Sequence, residues 1–486
     1  MPPLSRRQFL QGCSTAIAAM SGARLHSAVF ANPEAEPNQD ILITVFLRGG
    51  ADVLNIIPPI GGADRGHYET ARQAIQVPIA DALALGTSAF GLHPAMQGLH
   101  DLYTAGHLAI VQATGMPNTN TRSHFEAMAF MEHGTPGDNS TASGWIARHL
   151  ESATNLPTNI IMPAAAIGNN APASFATNNE VIAMNSVSNF GLTTGFSRWR
   201  DAQRVALRHL YSGMGPVYAS GLQALNASDI ITLGTAGGYT PLPGVTYPAN
   251  SFGGHMQTIA QMIKLQVGLR MVTVDLGGWD THDRQGDGAG GYFAGLLATL
   301  SDGLRALFDD LNTSERANYI DRVTVVVMSE FGRRVRENAD DGTDHGHGGA
   351  MFVLGGQVNG GPATARGRST TDLYGTWPGL ANAQLYDNAD LAITTDYRQV
   401  LSELLIRRLG NPHLGYVFPG YTNYTPLGLV QGTDLAPDYG NVPTAIDLQT
   451  TGTTTPALGT KVATVAGVGL AATAGLVALR NRGSDQ

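Results

Sequence analysis

Carboxylate and imidazole side chains lie beside glycines at four places in this 486-residue sequence. The four segments are LRGGAD (47–52), GGWDTHD (277–283), SEFGR (329–333) and TDHGHGG (343–349). Glycine lets the backbone turn tightly and approach a ligand, and carboxylate and imidazole groups bind Zn²⁺, Mn²⁺ or Ca²⁺ in proteins. The sequence therefore predicts a site for one or two divalent ions. Its candidate ligands are Asp52, Asp280, His282, Glu330, Asp344, His345 and His347.

Some of these residues also have simple structural explanations. A carboxylate can accept backbone hydrogen bonds in a turn, cap a helix or pair with a nearby arginine, and a histidine can be an ordinary exposed residue. These explanations apply to Asp52, Asp280, His282 and Glu330, the last of which could pair with Arg333 on the surface. Two imidazoles and a carboxylate within four residues are harder to explain without a cation or hydrogen bonds. This last group is Asp344, His345 and His347.

A candidate nucleophile, Ser123, precedes a helix-like run over residues 127–132. Backbone N–H groups and the helix dipole at a helix start favour an anion, and a nearby metal would lower the pKa of the Ser123 hydroxyl. Arg122 could bind a phosphate or sulfate group through two hydrogen bonds, and Arg48 is a second cation for the same charge. His124 is a candidate proton donor. The alternative is that Ser123 only caps the helix and His124 is structural.

Short apolar runs precede three of the clusters and predict the elements that position them. Residues 41–47, 271–276 and 323–328 are almost continuously apolar, which is typical of strands buried on both faces. Residues 256–269 and 293–311 carry apolar side chains at helical spacing. Strands that alternate with helices predict an α/β domain with a mostly parallel sheet covered on both sides. Ligands bind beyond the carboxyl ends of such strands, so we expect the clusters to meet at one sheet edge.

The N-terminus is typical of an export signal. The segment SRRQFL (5–10) is followed by a mildly apolar stretch and by small residues around Ala31. This pattern predicts a twin-arginine signal peptide over residues 1–31, recognition by the twin-arginine export machinery and a periplasmic location. The alternative is an ordinary N-terminal helix with two surface arginines.

The C-terminus predicts a membrane anchor. Residues 462–479 carry no charge and just reach the length of a bilayer span. We therefore expect residues 461–486 to anchor the protein to the inner membrane, after a linker over residues 431–460. The main domain would then cover residues 40–430. A buried or surface-docked helix is the alternative for the apolar stretch.

Composition excludes several classes of protein. A hydrophobic content of 43% with only 14% charged residues argues against a disordered chain. The net charge of −9 and the absence of a basic stripe argue against a nucleic-acid partner. The single cysteine, Cys13, lies in the predicted signal peptide, so the mature protein would have no disulfide, thiol nucleophile or cysteine metal site.

Six segments occur in an order that resembles the bacterial twin-arginine-exported "domain of unknown function 1501" family. They are FLRGGAD (46–52), RSHF (122–125), GWDTH (278–282), SEFGR (329–333), TDHG (343–346) and DYRQV (396–400). The resemblance covers roughly residues 40–410, and the ordered set is specific although each motif alone is not. This family is similar to the alkaline phosphatase and sulfatase superfamily. The resemblance implies an alkaline-phosphatase-like three-layer α/β/α sandwich with a mostly parallel central sheet and a metal site at the strand ends.

The match to the superfamily pattern is partial. Matching positions are Asp52 after the first strand, Ser123 for the nucleophile, Asp280 and His282 for a metal pair, and His345 or His347 for the last histidine. Phe331 follows Glu330 where many relatives carry Asp-His, and Val53 replaces an expected glycine. The Cys/Ser-x-Pro-x-Arg motif of formylglycine sulfatases is absent from the sequence.

These observations support three hypotheses about function. The first is an exported metal-dependent hydrolase of phosphate or sulfate esters, whose substrate is a small anionic molecule. The second is a non-catalytic protein that binds a metal or anion, or serves as a scaffold, on the same fold. The third is a surface-assembly protein, which the Gly/Thr/Asn-rich composition and the anchor-like tail suggest.

Overall fold

The apolar runs of the sequence form strands of an eight-stranded sheet. The structure, a computed structural model, describes residues 40–156, 162–191, 196–235, 238–313, 318–363 and 371–440. The strands are β1 (Ile41–Arg48), β2 (Leu83–Ala84), β3 (Gly91–Leu92), β4 (Leu108–Gly115), β5 (Ala164–Ile167), β6 (Val181–Met184), β7 (Met271–Gly277), β8 (Val323–Ser329), β9 (Gly349–Gly355) and β10 (Thr395–Asp396). Strands β2 and β3 form a separate antiparallel pair, and the large sheet has the order β10-β4-β9-β8-β1-β7-β5-β6.

The large sheet is mostly parallel. Strand β1 lies at its centre and pairs in parallel with both β7 and β8. Strand β9 is antiparallel to its neighbours β4 and β8, while the remaining pairs are parallel. The carboxyl ends of β1, β4, β7 and β8 therefore share one edge with the start of β9. This arrangement confirms the predicted α/β class with a mostly parallel sheet.

Helices cover both faces of the sheet. They are α1 (Val53–Ile56), α2 (Gly62–Ala71), α3 (Gln97–Thr104), α4 (His124–His133), α5 (Trp145–Ser152), α6 (Arg200–Leu210), α7 (Pro216–Thr235), α8 (Ser251–Leu265), α9 (Gly291–Leu311), α10 (Tyr397–Arg407) and α11 (Leu414–Val417). Along β1, Ile43 and Val45 pack into a core with α8 and α9, whereas Leu42 and Phe46 pack into a second core with α4, α5 and α10. Because successive side chains of a strand point to opposite faces, burial on both faces requires the continuous apolar run.

The predicted element positions agree closely with the structure. The three predicted strands correspond to β1, β7 and β8 and differ from them by one residue at the carboxyl end. The helix predicted over residues 293–311 is α9. The helix predicted over residues 256–269 is α8, which begins earlier and ends at Leu265 because Gln266 adopts a left-handed conformation with φ of 54°.

The described residues belong to one compact unit that lies within Met1–Val442. The predicted signal peptide (1–31), the predicted anchor (461–486) and residues 441–460 of the predicted linker lie outside the described residues. The first ten linker residues, 431–440, pack on the domain, where Asp438 accepts a hydrogen bond from His413 at 2.8 Å. Among the helices that the structure describes, none has both the length and the apolar character to cross a bilayer.

Candidate metal centre

Three imidazoles and one carboxylate converge at the shared sheet edge. Oδ1 of Asp280 lies 3.0 Å from Nε2 of His345, 3.1 Å from Nε2 of His282 and 3.3 Å from Nε2 of His124. Ligand atoms of His124, Asp280 and His345 all lie within 4.8 Å of one another, and Nε2 of His282 is 2.9 Å from that of His345. Atoms bound to one tetrahedral Zn²⁺ with bonds of about 2 Å are about 3.3 Å apart. The spacing of these donors therefore suits a single small cation.

Each of the three rings is oriented through its other nitrogen. Nδ1 of His345 lies 2.8 Å from the backbone oxygen of Arg122, and Nδ1 of His124 lies 2.8 Å from Oε1 of Glu330. Nδ1 of His282 lies 3.2 Å from Oδ1 of Asp344. Carbonyl and carboxylate oxygens accept hydrogen bonds, so with a cation bound each Nδ1 would carry the proton and each neutral ring would direct a lone pair from Nε2 towards the ion beside Asp280. Histidines that bind metals are held in this way.

The imidazole of His124 shows that these residues fit a cation. Its Nε2 is shielded from solvent and has no hydrogen-bond partner. Leaving a buried polar atom unsatisfied costs about 1–3 kcal/mol, and a metal bond to Nε2 would remove that cost. A set of imidazoles with one carboxylate suits Zn²⁺ or Mn²⁺ better than Ca²⁺, which prefers oxygen ligands throughout.

A buried arginine, Arg333, connects the loops of the site. Its Nε donates to the Gly50 carbonyl oxygen at 2.6 Å, and another guanidinium nitrogen donates to the Thr343 carbonyl oxygen at 2.7 Å. The third nitrogen donates to Oδ1 of Asp280 at 2.6 Å. The expected alternative of a surface pair between Arg333 and Glu330 is wrong, because Arg333 is buried and Glu330 pairs with His124. The sequence signal for this role was its place in the SEFGR motif.

The local charges favour the metal-binding forms of these groups. Burial by itself raises the pKa of Asp280, but its contacts with His345 and with the guanidinium of Arg333 outweigh burial and hold the pKa well below its usual range. Burial lowers the pKa of His345, which keeps that ring neutral. The hydrogen bond to Glu330 raises the pKa of His124, so His124 is the ring for which a proton competes with a cation.

Comparison with known proteins supports part of the expected resemblance. Residues 245–410 match the family model described as "Protein of unknown function (DUF1501)". This DUF1501 segment contains Asp280, His282 and His345, whereas His124 lies before it. The comparison with curated proteins gave no match. The twin-arginine export and the link to alkaline phosphatases stay predictions.

Gly49 allows the loop after β1 to contact the DUF1501 segment. A Cβ atom at Gly49 would lie 2.4 Å from the backbone nitrogen of Asp280, and its φ of +128° is a conformation that other residues rarely adopt. Its own N–H donates to Oε1 of Glu330 at 2.8 Å. This position therefore requires glycine for both space and backbone conformation.

Not every predicted ligand reaches the cluster. Asp52 is completely buried, and its two oxygens accept hydrogen bonds from Arg72 at 2.5 and 2.8 Å. His347 is also buried, stacks on the ring of Tyr386 with centroids 4.0 Å apart and has a pKa lowered by burial to about 4. Neither side chain joins the convergent group. Glu330 and Asp344 lie one step away and orient the rings of His124 and His282.

The predicted nucleophile has a free side chain, whereas the two predicted anion-binding arginines are paired with carboxylates. Ser123 is exposed at the start of α4, and its side chain makes no capping hydrogen bond. Arg122 pairs with Asp390 at 2.5 Å and with Asp387 at 3.4 Å. Arg48 also pairs with two carboxylates.

The partners of Arg48 are Glu132 at 2.5 Å and Asp275 at 3.1 Å. Its guanidinium also lies 4.3 Å from the centre of the Phe46 ring. The positive charge of Arg48 is therefore already neutralised within the fold, as is that of Arg122.

Proposed function

We propose that this protein is an exported metal-dependent hydrolase of phosphate or sulfate esters, built as a three-layer α/β/α sandwich of the alkaline phosphatase type. The convergence of three oriented imidazoles on Asp280 carries this proposal. A divalent ion held by His124, Asp280 and His345 would polarise an ester oxygen and activate a nucleophile at neutral pH. Zn²⁺ fits the donor set best, and the single cluster of the described residues supports one ion.

The candidate nucleophile is Ser123, whose exposed hydroxyl precedes the ligand His124 in the chain. The first N–H groups of the ten-residue helix α4 receive no cap from the Ser123 side chain. Such groups attract the oxygens of an anionic ester. Ser123 would thus attack a phosphorus or sulfur atom held close to the helix start.

Proton donation is better assigned to His282 than to His124. Nδ1 of His124 is held by Glu330, and Nε2 of His124 would bind the proposed ion beside Asp280. The side chain of His282 is 43% exposed, and its Nδ1 contacts Asp344. A histidine oriented by a carboxylate is suited to move a proton at Nε2. His282 would take the Ser123 proton at Nε2 as the serine oxygen bonds to phosphorus or sulfur, and would give it to the leaving oxygen as the ester bond breaks. Water would then hydrolyse the serine ester.

Arg334 is the guanidinium best suited to hold the substrate anion. It is half-buried, its Nε is shielded without a hydrogen-bond partner, and its charge lowers the pKa of Asp344 after the larger effect of Asn338. A guanidinium that gains a charge-assisted bond to phosphate or sulfate would satisfy this nitrogen.

The test combines metal content with turnover of the full chain. Wild-type protein should bind about one Zn²⁺ or Mn²⁺ and hydrolyse an aryl phosphate or aryl sulfate. His345→Ala should lose both metal and turnover, whereas the matched control His347→Ala should keep the metal. Ser123→Ala should keep the metal and lose turnover. If wild-type protein with its metal site filled hydrolyses neither the aryl phosphate nor the aryl sulfate, the hydrolase proposal is refuted.

The second candidate is a non-catalytic metal- or anion-binding protein, or a scaffold, on the same fold. The pairing of Arg48 and Arg122 with carboxylates favours it, because neither is free to bind a substrate anion. Under this alternative, Ser123→Ala binds inorganic phosphate as tightly as wild type does, and neither protein turns over an ester.

A further inference from the structure

The exposed apolar side chains are concentrated in one segment. Seven of the eleven large hydrophobic residues that are exposed in the described part of the chain lie within residues 196–218. The most exposed are Met214 at 96% and Phe196 at 74%, while Leu210 is at 64%. An apolar surface of this kind marks an interaction site.

Helix α6 presents its apolar face outward. Arg204 and Arg208 face α7 and pair with Asp229 at 3.3 and 2.7 Å. The opposite side exposes Val205 and Leu210, and no residue of α6 is buried. This is the reverse of an ordinary surface helix, whose apolar side packs on the core. Within the described part of the chain nothing buries this side of α6, so it is available to a partner.

We propose that residues 196–218 bind the surface of an anionic membrane. Of the four arginines in this segment, Arg204 and Arg208 are paired with Asp229, whereas Arg198 is exposed among the apolar side chains. Exposed Arg198 lies 5.5 Å from the ring centre of Phe196 and 5.6 Å from that of Trp199. Arginine beside aromatic rings is typical of the lipid headgroup region, where anionic lipids attract the charge.

The distribution of these side chains favours lipid over a second copy of the chain. Phe196 and Trp199 lie at one end of α6, and Leu210 and Met214 lie at or beyond the other, about 16 Å away. Separate protrusions with an arginine among them can enter fluid headgroups, whereas a protein interface needs a complementary shape and few central charges. A helix lying flat on the bilayer would insert both ends. The inference is independent of the proposed hydrolase.

Trp199 gives a local test in the full chain. It is 55% exposed, whereas Trp145 and Trp279 are fully buried and Trp377 is half-buried. Vesicles of phosphatidylethanolamine and brominated phosphatidylglycerol, in roughly a three to one ratio, should shift Trp199 emission to the blue and quench it. The Trp199→Phe variant should show no lipid-dependent change, even if a C-terminal anchor inserts.

Two further variants distinguish lipid binding by residues 196–218 from nonspecific binding of the protein to lipid. Leu210→Asp should raise the lipid concentration that gives half of the Trp199 emission change at least about fivefold. Ile79→Asp, a change at a residue that is 49% exposed elsewhere, should leave it unchanged. Unchanged Trp199 emission on vesicles to which the protein binds would overturn the proposal. A blue shift that follows protein concentration without lipid, which indicates self-association, would also overturn it.

Discussion

Replacing Glu330 with glutamine is expected to weaken Zn²⁺ binding about tenfold at about pH 8.5. The buried carboxylate accepts hydrogen bonds from His124 and Gly49 at 2.8 Å each and from Ser329 at 3.0 Å. A glutamine oxygen in the Oε1 position keeps the first two bonds, and its amide can donate to Ser329 Oγ. The variant should therefore fold normally and lose only the charge behind His124.

The size of the effect follows from that charge. A hydrogen bond to a charged group contributes about 1.5–3 kcal/mol, compared with about 0.5–1.5 kcal/mol for a neutral one. The difference of about 1–1.5 kcal/mol corresponds to roughly five- to tenfold in the metal dissociation constant. The difference in metal dissociation constant between wild type and Glu330→Gln should become smaller at lower pH. Glu330 raises the pKa of His124, so in wild type a proton competes with the metal for that ring.

The assay is competition for Zn²⁺ against a chromophoric chelator, with thermal unfolding in excess chelator as the check on folding. The matched control is Glu337→Gln. Glu337 is a carboxylate that accepts backbone N–H groups of Gln73 and Ala74 away from the site. Equal affinities of wild type and Glu330→Gln at high pH, or an equal loss in the control, would contradict a metal centre that contains His124.

Two further predictions concern the backbone and the acid stability of the fold. Gly49→Ala should destabilise the protein by about 2 kcal/mol or more and lower its metal content, because a Cβ there is strained and meets the Asp280 backbone. The control variant Gly295→Ala in α9 should keep its stability and metal content, because a Cβ there meets nothing within 4 Å. Similar free energies of chemical unfolding for the two variants would contradict this reasoning. Burial raises the pKa of Asp310, but hydrogen bonds from groups including Lys264 outweigh it and lower the pKa overall. That carboxylate stabilises the fold above its unfolded pKa of about 3.9, and the stabilisation is lost as pH falls through its folded pKa. The gap in urea unfolding free energy between wild type and Asp310→Asn should be largest near neutral pH and shrink below about pH 4; a constant gap would contradict this account.

Much of the scaffold could be read from the sequence, because a strand covered on both faces must be apolar at nearly every position. Residues 41–47, 271–276 and 323–328 met this condition and are strands in the structure. The edge that holds the loops followed as well, since the carboxyl ends of parallel strands point the same way. Strand β9, the antiparallel member, was not predicted, and its start brings His345 to the same edge.

The sequence by itself determined the fold class and the sheet edge at which acids and imidazoles gather. Only the tertiary structure decided which of them meet. Asp52 and Asp280 both follow a buried strand. Asp52 pairs with Arg72, whereas Asp280 lies within 3.3 Å of the Nε2 atoms of three histidines. The physical reason is that sequence spacing places a residue at an edge, whereas the direction of its side chain depends on contacts between loops more than 200 residues apart, such as that of Glu330 with His124.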